Sequence, residues 1–568
     1  MNKILPIIIF VSVFYGCSGK SSVNNLTVHE GRNIITDSGM VVSAHPESSG
    51  IGISILRKGG NAVDAAVATE FALAVCYPEA GNIGGGGFML IREADGRTDL
   101  IDYREKAPLQ ASRDMYLDPS GSVLEGLSTE THMASGVPGT VDGLVGVHSK
   151  YGLLPFKDVI QPAIDIARNG FPVTEGQAAD LNANRENFIS RNRTLPAFAK
   201  DTPWKEGDTL RQTDLARTLE RIRDRGRDGF YSGTTARLIV REMQRGNGII
   251  TDRDLSEYSA VFRDPVSAEY RGYKIFSASP PSGGGIALLQ ILGMIEPYDL
   301  KKTGFHTWQS VHLIAEAERR AFADRSQYLG DPGFTEIPVN GLLSSDYLAE
   351  RMRSFRKGAA SPSSEINPGS PPVPESEETT HYSVADRFGN AVAATTTLNG
   401  IFGNSIVVDS AGFLMNNQMD DFSIKPGVPN MYGLVGGEAN SVQPGKRMLS
   451  SMTPVIIEKN GKLFMVAGSP GGSTIPTSAL QVIVNVIDHD MNIRQAVDTG
   501  RFHHQWLPDY ISYERNSLDS STMIKLKKIG HELRDRSAIG RVNAIMILPD
   551  GRKAGGADRR GSNSAYGY

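Results

Sequence analysis

Cysteine is nearly absent: the 568 residues contain two, Cys17 and Cys76. Two thiols this far apart in character give no disulfide framework, so the fold must stand on its buried core. Cys76 lies in the apolar run Phe71–Tyr77 and reads as a small buried hydrophobe, not as a nucleophile. Charge of one sign is also lacking. The net charge is −4, with no Lys/Arg block, which removes the usual electrostatic ground for binding nucleic acid. Apart from the N-terminus there is no long hydrophobic run and no internal repeat. The length still exceeds what one core usually supports, so several layers or more than one domain are expected.

The first residues form a charged Lys3, an apolar stretch Ile4–Tyr15 and then Gly16-Cys17. That pattern predicts a secretory signal over 1–16, too short to span a bilayer. Cys17 after a small residue is similar to the lipobox of bacterial lipoproteins, although Phe14 and Tyr15 depart from the usual residues there. Lipidation at Cys17, a polar tether over 17–26 and a periplasmic, membrane-anchored product are the expectation. Ordinary signal cleavage to a free product is the alternative.

From Val41 to Tyr77 the sequence reads largely as helix, with Asn61 as an N-cap before an Ala/Val/Leu run that is apolar nearly all round. Gly81-Asn-Ile-Gly-Gly-Gly-Gly-Phe88 follows, then a short strand Phe88–Ile91. A phosphate loop is excluded, since no Lys-Ser/Thr follows the glycines and a strand comes next. Ile286–Met294 and Trp308–Tyr328 read as helices, the second amphipathic. Phe355–Glu378 carries five prolines among Ser, Gly and Glu and reads as a mobile, exposed segment. A hairpin starts immediately after it: Thr380–Asp386, a turn at Asp386-Arg-Phe-Gly-Asn390, and Ala391–Leu398.

A threonine hydroxyl needs a neighbouring base, and an N-terminal threonine carries one in its own amine. Thr379, between an accessible linker and a strand, could gain that amine by cleavage after Glu378. On those grounds alone Thr379-Thr380 is equally well explained as β-propensity. Dense matching text adds to the case: Thr379-Thr-His-Tyr-Ser383, Leu414-Met-Asn-Asn-Gln-Met-Asp-Asp-Phe-Ser423, Ser450-Ser-Met-Thr-Pro454, Gly468-Ser-Pro-Gly-Gly-Ser473, Arg501–Pro508, Asp102-Tyr-Arg-Glu105 and Ser279–Gly285. Across nearly the whole mature chain this sequence resembles the γ-glutamyltransferases, within the N-terminal nucleophile hydrolases.

The resemblance implies an α+β fold, a four-layer αββα sandwich built from two products of self-cleavage. These would be a large subunit over 27–378 and a small subunit over 379–568. Thr379 would be the nucleophile and Thr397 its hydrogen-bonding neighbour, with Thr395 as the alternative. Gly471 and Gly472 would supply oxyanion N–H donors, worth about 3–4 kcal/mol each. Arg104, helped by Ser450 and Ser451, would hold an α-carboxylate, while Asp421, Asn399 and Gln418 would hold an α-ammonium. Pro426–Glu438 with Tyr432 would be a lid.

The implied substrates are glutathione and other γ-glutamyl compounds, with water, amino acids or dipeptides as acceptors. No cofactor or metal is required. His503-His504 point to opposite faces of a strand without a third ligand at suitable spacing, and read as packing or hydrogen-bonding residues. The alternatives are a cephalosporin or glutaryl acylase of the same superfamily, for which an anion at Asp421 has less use, and an inactive peptide-binding lipoprotein.

Overall fold

The computed structural model describes residues 27–369 and 380–568. The signal, the tether, Cys17, Glu378 and Thr379 lie outside the described residues.

Two antiparallel sheets dominate. The first runs His29–Gly31, Ser564–Gly567, Met40–Ser43, Thr380–Ala385, Ala391–Thr397, Gly86–Arg92, Thr98–Asp102 and Val261–Arg263. The second runs Ile35–Thr36, Lys553–Ala557, Asn543–Ile547, Lys462–Gly468, Val455–Lys459, Tyr273–Ser277 and Val266–Tyr270. Strand alternation distributes their side chains among three cores. In Gly86–Arg92, Met89 and Ile91 face the helices Pro46–Arg57, Ala62–Cys76 and Phe156–Asn169, whereas Phe88 and Leu90 face the other sheet. In Val455–Lys459, Ile456 joins the inter-sheet core, while Val455 and Ile457 pack toward Gly284–Ile295, Trp308–Tyr328 and Ile475–Ile487. The result is helix, sheet, sheet, helix, the four-layer α+β sandwich expected. Among the described residues no helix is long and apolar enough to cross a membrane.

Asn61 caps as expected. Its Oδ1 accepts the N–H groups of Val63 and Asp64, and Asp64 returns a bond to the Asn61 N–H. All fifteen residues of Ala62–Cys76 are buried, Cys76 among them. The helical reading from Val41 needs correction. Met40–Ser43 is a central strand paired with Ser383–Ala385, and helix begins only at Pro46, where the ring fits the first turn. A short, mostly apolar run cannot by itself distinguish a buried strand from a buried helix.

Two further expectations change. Trp308–Tyr328 forms as read, but its charged face is buried: Glu316, Glu318, Arg319, Arg320, Asp324 and Arg325 are all inside. They are covered partly by the segment read as mobile. Residues 355–369 are docked, with Ser361, Ser363 and Ile366 buried. The Ser361 N–H donates to Glu316 at 2.9 Å, Ser363 Oγ accepts from Arg319, and the Trp506 indole donates to the Ile366 carbonyl at 2.9 Å. Proline and serine content predicted poor self-packing; it carried no information about the charged helix waiting beneath. Burial opposes charge on Glu316, but Arg319 and Arg320 overcome it and hold the carboxyl down at about 2.

Glu70, buried in the helix Ala62–Cys76, takes hydrogen bonds from the Tyr103 and Tyr382 hydroxyls at 2.9 and 2.5 Å. Burial nevertheless raises its carboxyl to about 7. The folded protein therefore keeps this proton up to pH 7, whereas the unfolded chain releases it near 4.5, so its contribution to stability falls as pH rises between the two. Glu70→Gln is expected to gain up to about 3 kcal/mol on wild type between pH 4.5 and 7. Urea unfolding across that range measures it; a pH-independent difference would refute the assignment.

Candidate active site

The hairpin Thr380–Ala385/Ala391–Thr397 runs through the middle of the first sheet, with Thr380 opposite Thr396. Its inner face is polar at one end. Thr395 Oγ1 lies 3.0 Å from His381 Nδ1, His381 Nε2 lies 3.1 Å from Ser383 Oγ, and Ser383 donates to the Asn543 carbonyl. Since the carbonyl can only accept, Ser383 accepts from His381 Nε2–H, and Nδ1 accepts from Thr395. Burial lowers His381 to about 3, so this chain stays neutral. Thr395 is thereby committed to His381. Thr397, at the strand end, instead accepts the Asn399 N–H at 2.8 Å, which leaves its own O–H to act as a donor.

Asn399 sits at φ +74°, a left-handed position that asparagine tolerates. Its Nδ2 donates to the Asn417 carbonyl at 3.0 Å, and its Oδ1 has no hydrogen-bond partner. The turn Gln418–Asp421 follows. Gln418 Nε2 bonds Asp421 Oδ2, and Gln418 Oε1 is likewise unpartnered. Across from them Arg104 is completely buried. It donates to the carbonyls of Met448 and Leu449 at 3.2 and 2.8 Å and pairs directly with Asp421. Glu105 Oε2 lies 3.4 Å from the same guanidinium. Burial pushes both carboxyls up, Glu105 to about 7 and Asp421 well above the usual range, against the pull of Arg104.

The Ser450 and Ser451 hydroxyls do not touch Arg104 directly. Ser450 Oγ accepts the Met452 N–H at 3.1 Å, and Ser451 Oγ accepts from Arg325. Each oxygen accepts one such bond, and a hydroxyl can also donate to an anion. Gly471 and Gly472 adopt φ of +131° and +63° directly before the turn Gly472–Thr474 and the helix Ile475–Ile487. A Cβ on Gly471 would come within 2.5 Å of Thr474 Oγ1. Neither N–H donates to a carbonyl among the described residues, and N–H groups at a helix start suit a developing negative charge.

The segment 426–438, read as a lid, lies between two cavities. On one side a cavity of about 330 Å³ is lined by Asp420, Asp421, Asn440 and Met431. On the other, about 400 Å³ is lined by Tyr432, Gly471, Ser473 and Gln505. This segment is fastened on both sides: the Met431 N–H donates to Asp420 at 3.1 Å, and Gln505 Nε2 donates to the Tyr432 carbonyl at 3.4 Å.

Four contributors escaped the sequence reading: Asp420, Asn440, Arg325 and Gln505. Asn440 bridges the Asp421 carbonyl at 2.7 Å to the Leu449 N–H at 3.1 Å, tying the acid to the arginine's carbonyl cage. The Asp420-Asp421 doublet was a visible signal and Gln505 lay within the matching text Arg501–Pro508 without a role; Arg325 had no signal, being a charged residue on a helix read as amphipathic.

The two histidines read as non-ligands are buried and lowered, His503 to about 3 and His504 to about 4, by burial first. His312, Glu316 and His531 come together elsewhere. His312 Nδ1 and His531 Nε2 already share a hydrogen bond at 2.8 Å, and Glu316 is taken by two arginines, so these donors do not suit a cation.

A four-layer sandwich, a threonine-rich strand end and a glycine pair at a helix start define an amide-cleaving enzyme of the N-terminal nucleophile class. The sequence matches the family described as Gamma-glutamyltranspeptidase over residues 48–568, and the chain belongs to that family. It is 49% identical over 524 residues to the glutathione hydrolase proenzyme of Escherichia coli K12, covering 92% of this chain and 90% of that one. Among solved structures, the γ-glutamyltranspeptidase of Helicobacter pylori is 45% identical, with a TM-score of 0.58, over 59% of this chain and 96% of that one. The cephalosporin acylase of Bacillus halodurans is 26% identical, with a TM-score of 0.82, over 94% and 96%.

Proposed function

We propose that the chain is the precursor of a γ-glutamyltransferase/glutathione hydrolase that cleaves itself between Glu378 and Thr379. The observation that carries the substrate reading is the buried pairing of Arg104 with Asp421, flanked by two unpartnered acceptors, Asn399 Oδ1 and Gln418 Oε1. A free amino-acid headgroup brings one negative and one positive group. Its carboxylate satisfies Arg104 and the two serine hydroxyls, and its ammonium offers three N–H donors to Asp421, Asn399 and Gln418. An acyl group without that ammonium would leave both amide oxygens unsatisfied inside the protein.

The chemistry follows from position. Thr397 stands at the end of its strand, one residue beyond the Thr380–Thr396 pair. The Thr379 amine, formed by cleavage, takes the hydroxyl proton as the oxygen attacks the γ-carbonyl. Negative charge develops on the carbonyl oxygen and is met by the N–H groups of Gly471 and Gly472. The leaving amine departs with the proton, and water or an acceptor amine then resolves the ester. The large and small subunits stay together because strands of both pair side by side within each sheet. Export, with the mature large subunit beginning at a lipidated Cys17, completes the reading.

The test is release of p-nitroaniline from γ-glutamyl-p-nitroanilide, with and without glycylglycine, beside glutaryl-p-nitroanilide. Cleavage of the first at least about tenfold faster than the third is expected. Preference for the glutaryl compound would move the protein to the acylase reading.

A further inference from the structure

The cavity on the Gly471 side of the lid contains a feature that the headgroup chemistry leaves unused. Three charged residues line it on the strand Leu533–Arg536: Arg534, Asp535 and Arg536. Two are already neutralised. Arg534 pairs with Glu532 at 2.7 Å and lies 4.1 Å over the Tyr510 ring. Asp535 pairs with Arg515 at 2.9 Å. Arg536 makes no ion pair or side-chain hydrogen bond among the described residues. Its charge nonetheless reaches inward, where it opposes protonation of His503 after burial has already lowered that ring.

The neighbouring amide is oriented. Gln505 Oε1 accepts from Ser473 Oγ at 2.7 Å and lies 3.0 Å from His503 Nε2. The other ring nitrogen, Nδ1, lies 2.9 Å from Thr477 Oγ1, which itself donates to the Thr474 carbonyl at 3.1 Å. With its oxygen accepting from Ser473, Gln505 presents Nε2, and one of the two N–H groups goes to the Tyr432 carbonyl. The second is a donor in the wall that also holds Arg536 and Gly471.

We infer that this cavity is a carboxylate-recognising subsite for the leaving or accepting amine component, with Arg536 as its specificity-determining cation and Gln505 as a supporting donor. The inference rests on the γ-glutamyl reading and deepens it. On that reading the Gly471 N–H meets the scissile carbonyl, and the segment 426–438 stands between this cavity and Asp421, which puts the portion beyond the scissile bond on the Gly471 side. When that portion is a peptide, its amine is the scissile nitrogen. The charge remaining on a simple dipeptide is then its terminal carboxylate, and a cation free of other partners is its complement. Because Arg536 is solvent-exposed, its effect is moderate and sensitive to salt.

The experiment is a two-by-two cycle on the purified, processed enzyme. Wild type and Arg536→Gln are each assayed on glutathione and on its analogue in which the glycine carboxylate is an amide. Wild type is expected to favour the carboxylate by about tenfold or more in kcat/KM, and the variant to favour it by less than about twofold. Arg536→Lys, which keeps the charge, should restore at least part of the preference. Loss of preference in Arg536→Gln with rescue by lysine supports the subsite and excludes a merely structural role. Equal preference in wild type and Arg536→Gln overturns it. If wild type fails even on γ-glutamyl-p-nitroanilide, which lacks this carboxylate, the γ-glutamyl reading falls and takes the subsite with it. Cleavage of the anilide combined with equal preference for the two glutathione forms removes the subsite alone.

Discussion

Thr379→Ala is expected to remain one uncut chain, while wild type separates into two, the smaller beginning at Thr379 and ending at Tyr568. Cleavage needs a hydroxyl at that position to attack the preceding carbonyl, and alanine has none. The same loss removes the nucleophile for substrate, and without cleavage the α-amine base never forms. Hydrolysis of γ-glutamyl-p-nitroanilide should fall by roughly 10⁴-fold or more. The fold should survive, since the inner face of the hairpin is held by Thr395, His381, Ser383 and Asn543, none of which is altered. Thr379→Ser, which keeps a hydroxyl, should cut and retain activity. Intact mass and circular dichroism of the three proteins decide the matter. A wild type that stays whole when folded, or an alanine variant that still cuts after Glu378, would defeat the proposed mechanism.

The sequence was most legible where a residue type has one strong local use. Asn61 capped as read because an Asn followed by Asp at the third helical position satisfies two orphan N–H groups at once. The hairpin after residue 379 was equally plain, since alternation and an Asp-Arg-Phe-Gly-Asn turn act over neighbours only. What stayed hidden depends on partners far away in sequence. Met40–Ser43 is a strand because Ser383–Ala385 and Ser564–Gly567 flank it, and no local pattern records that. Residues 355–369 looked unfit for packing, yet Glu316, Arg319 and Trp506 supply the bonds that hold them. The site followed the same division. Motif text pointed to Arg104 and Asp421 separately. Their direct pairing, and the two amide oxygens left unpartnered beside them, needed the folded arrangement.

That pairing makes Asp421→Asn the sharpest test of substrate class. The two side chains are in direct contact and both are fully buried. A γ-glutamyl headgroup adds its own opposite charges, turning one ion pair into an alternating set of four. Removing the Asp421 charge leaves the substrate ammonium with amide oxygens only, and kcat/KM for γ-glutamyl-p-nitroanilide should fall about 10²-fold to 10³-fold, or about 3–4 kcal/mol. Breaking a buried pair ordinarily destabilises a protein by about 3–5 kcal/mol through the charge left behind. Here Glu105 stands 3.4 Å from the same guanidinium, with its carboxyl raised to about 7 by burial. Once Asp421 no longer competes for Arg104, Glu105 is expected to ionise more readily and take over as counter-ion, so the variant should fold. The glutaryl anilide carries no ammonium and should lose much less, bringing the two substrates within about tenfold of each other. Steady-state kinetics on both anilides, with urea unfolding as the check on folding, gives the answer. An equal loss on the two would mean that Asp421 holds Arg104 in place without reading the α-amine.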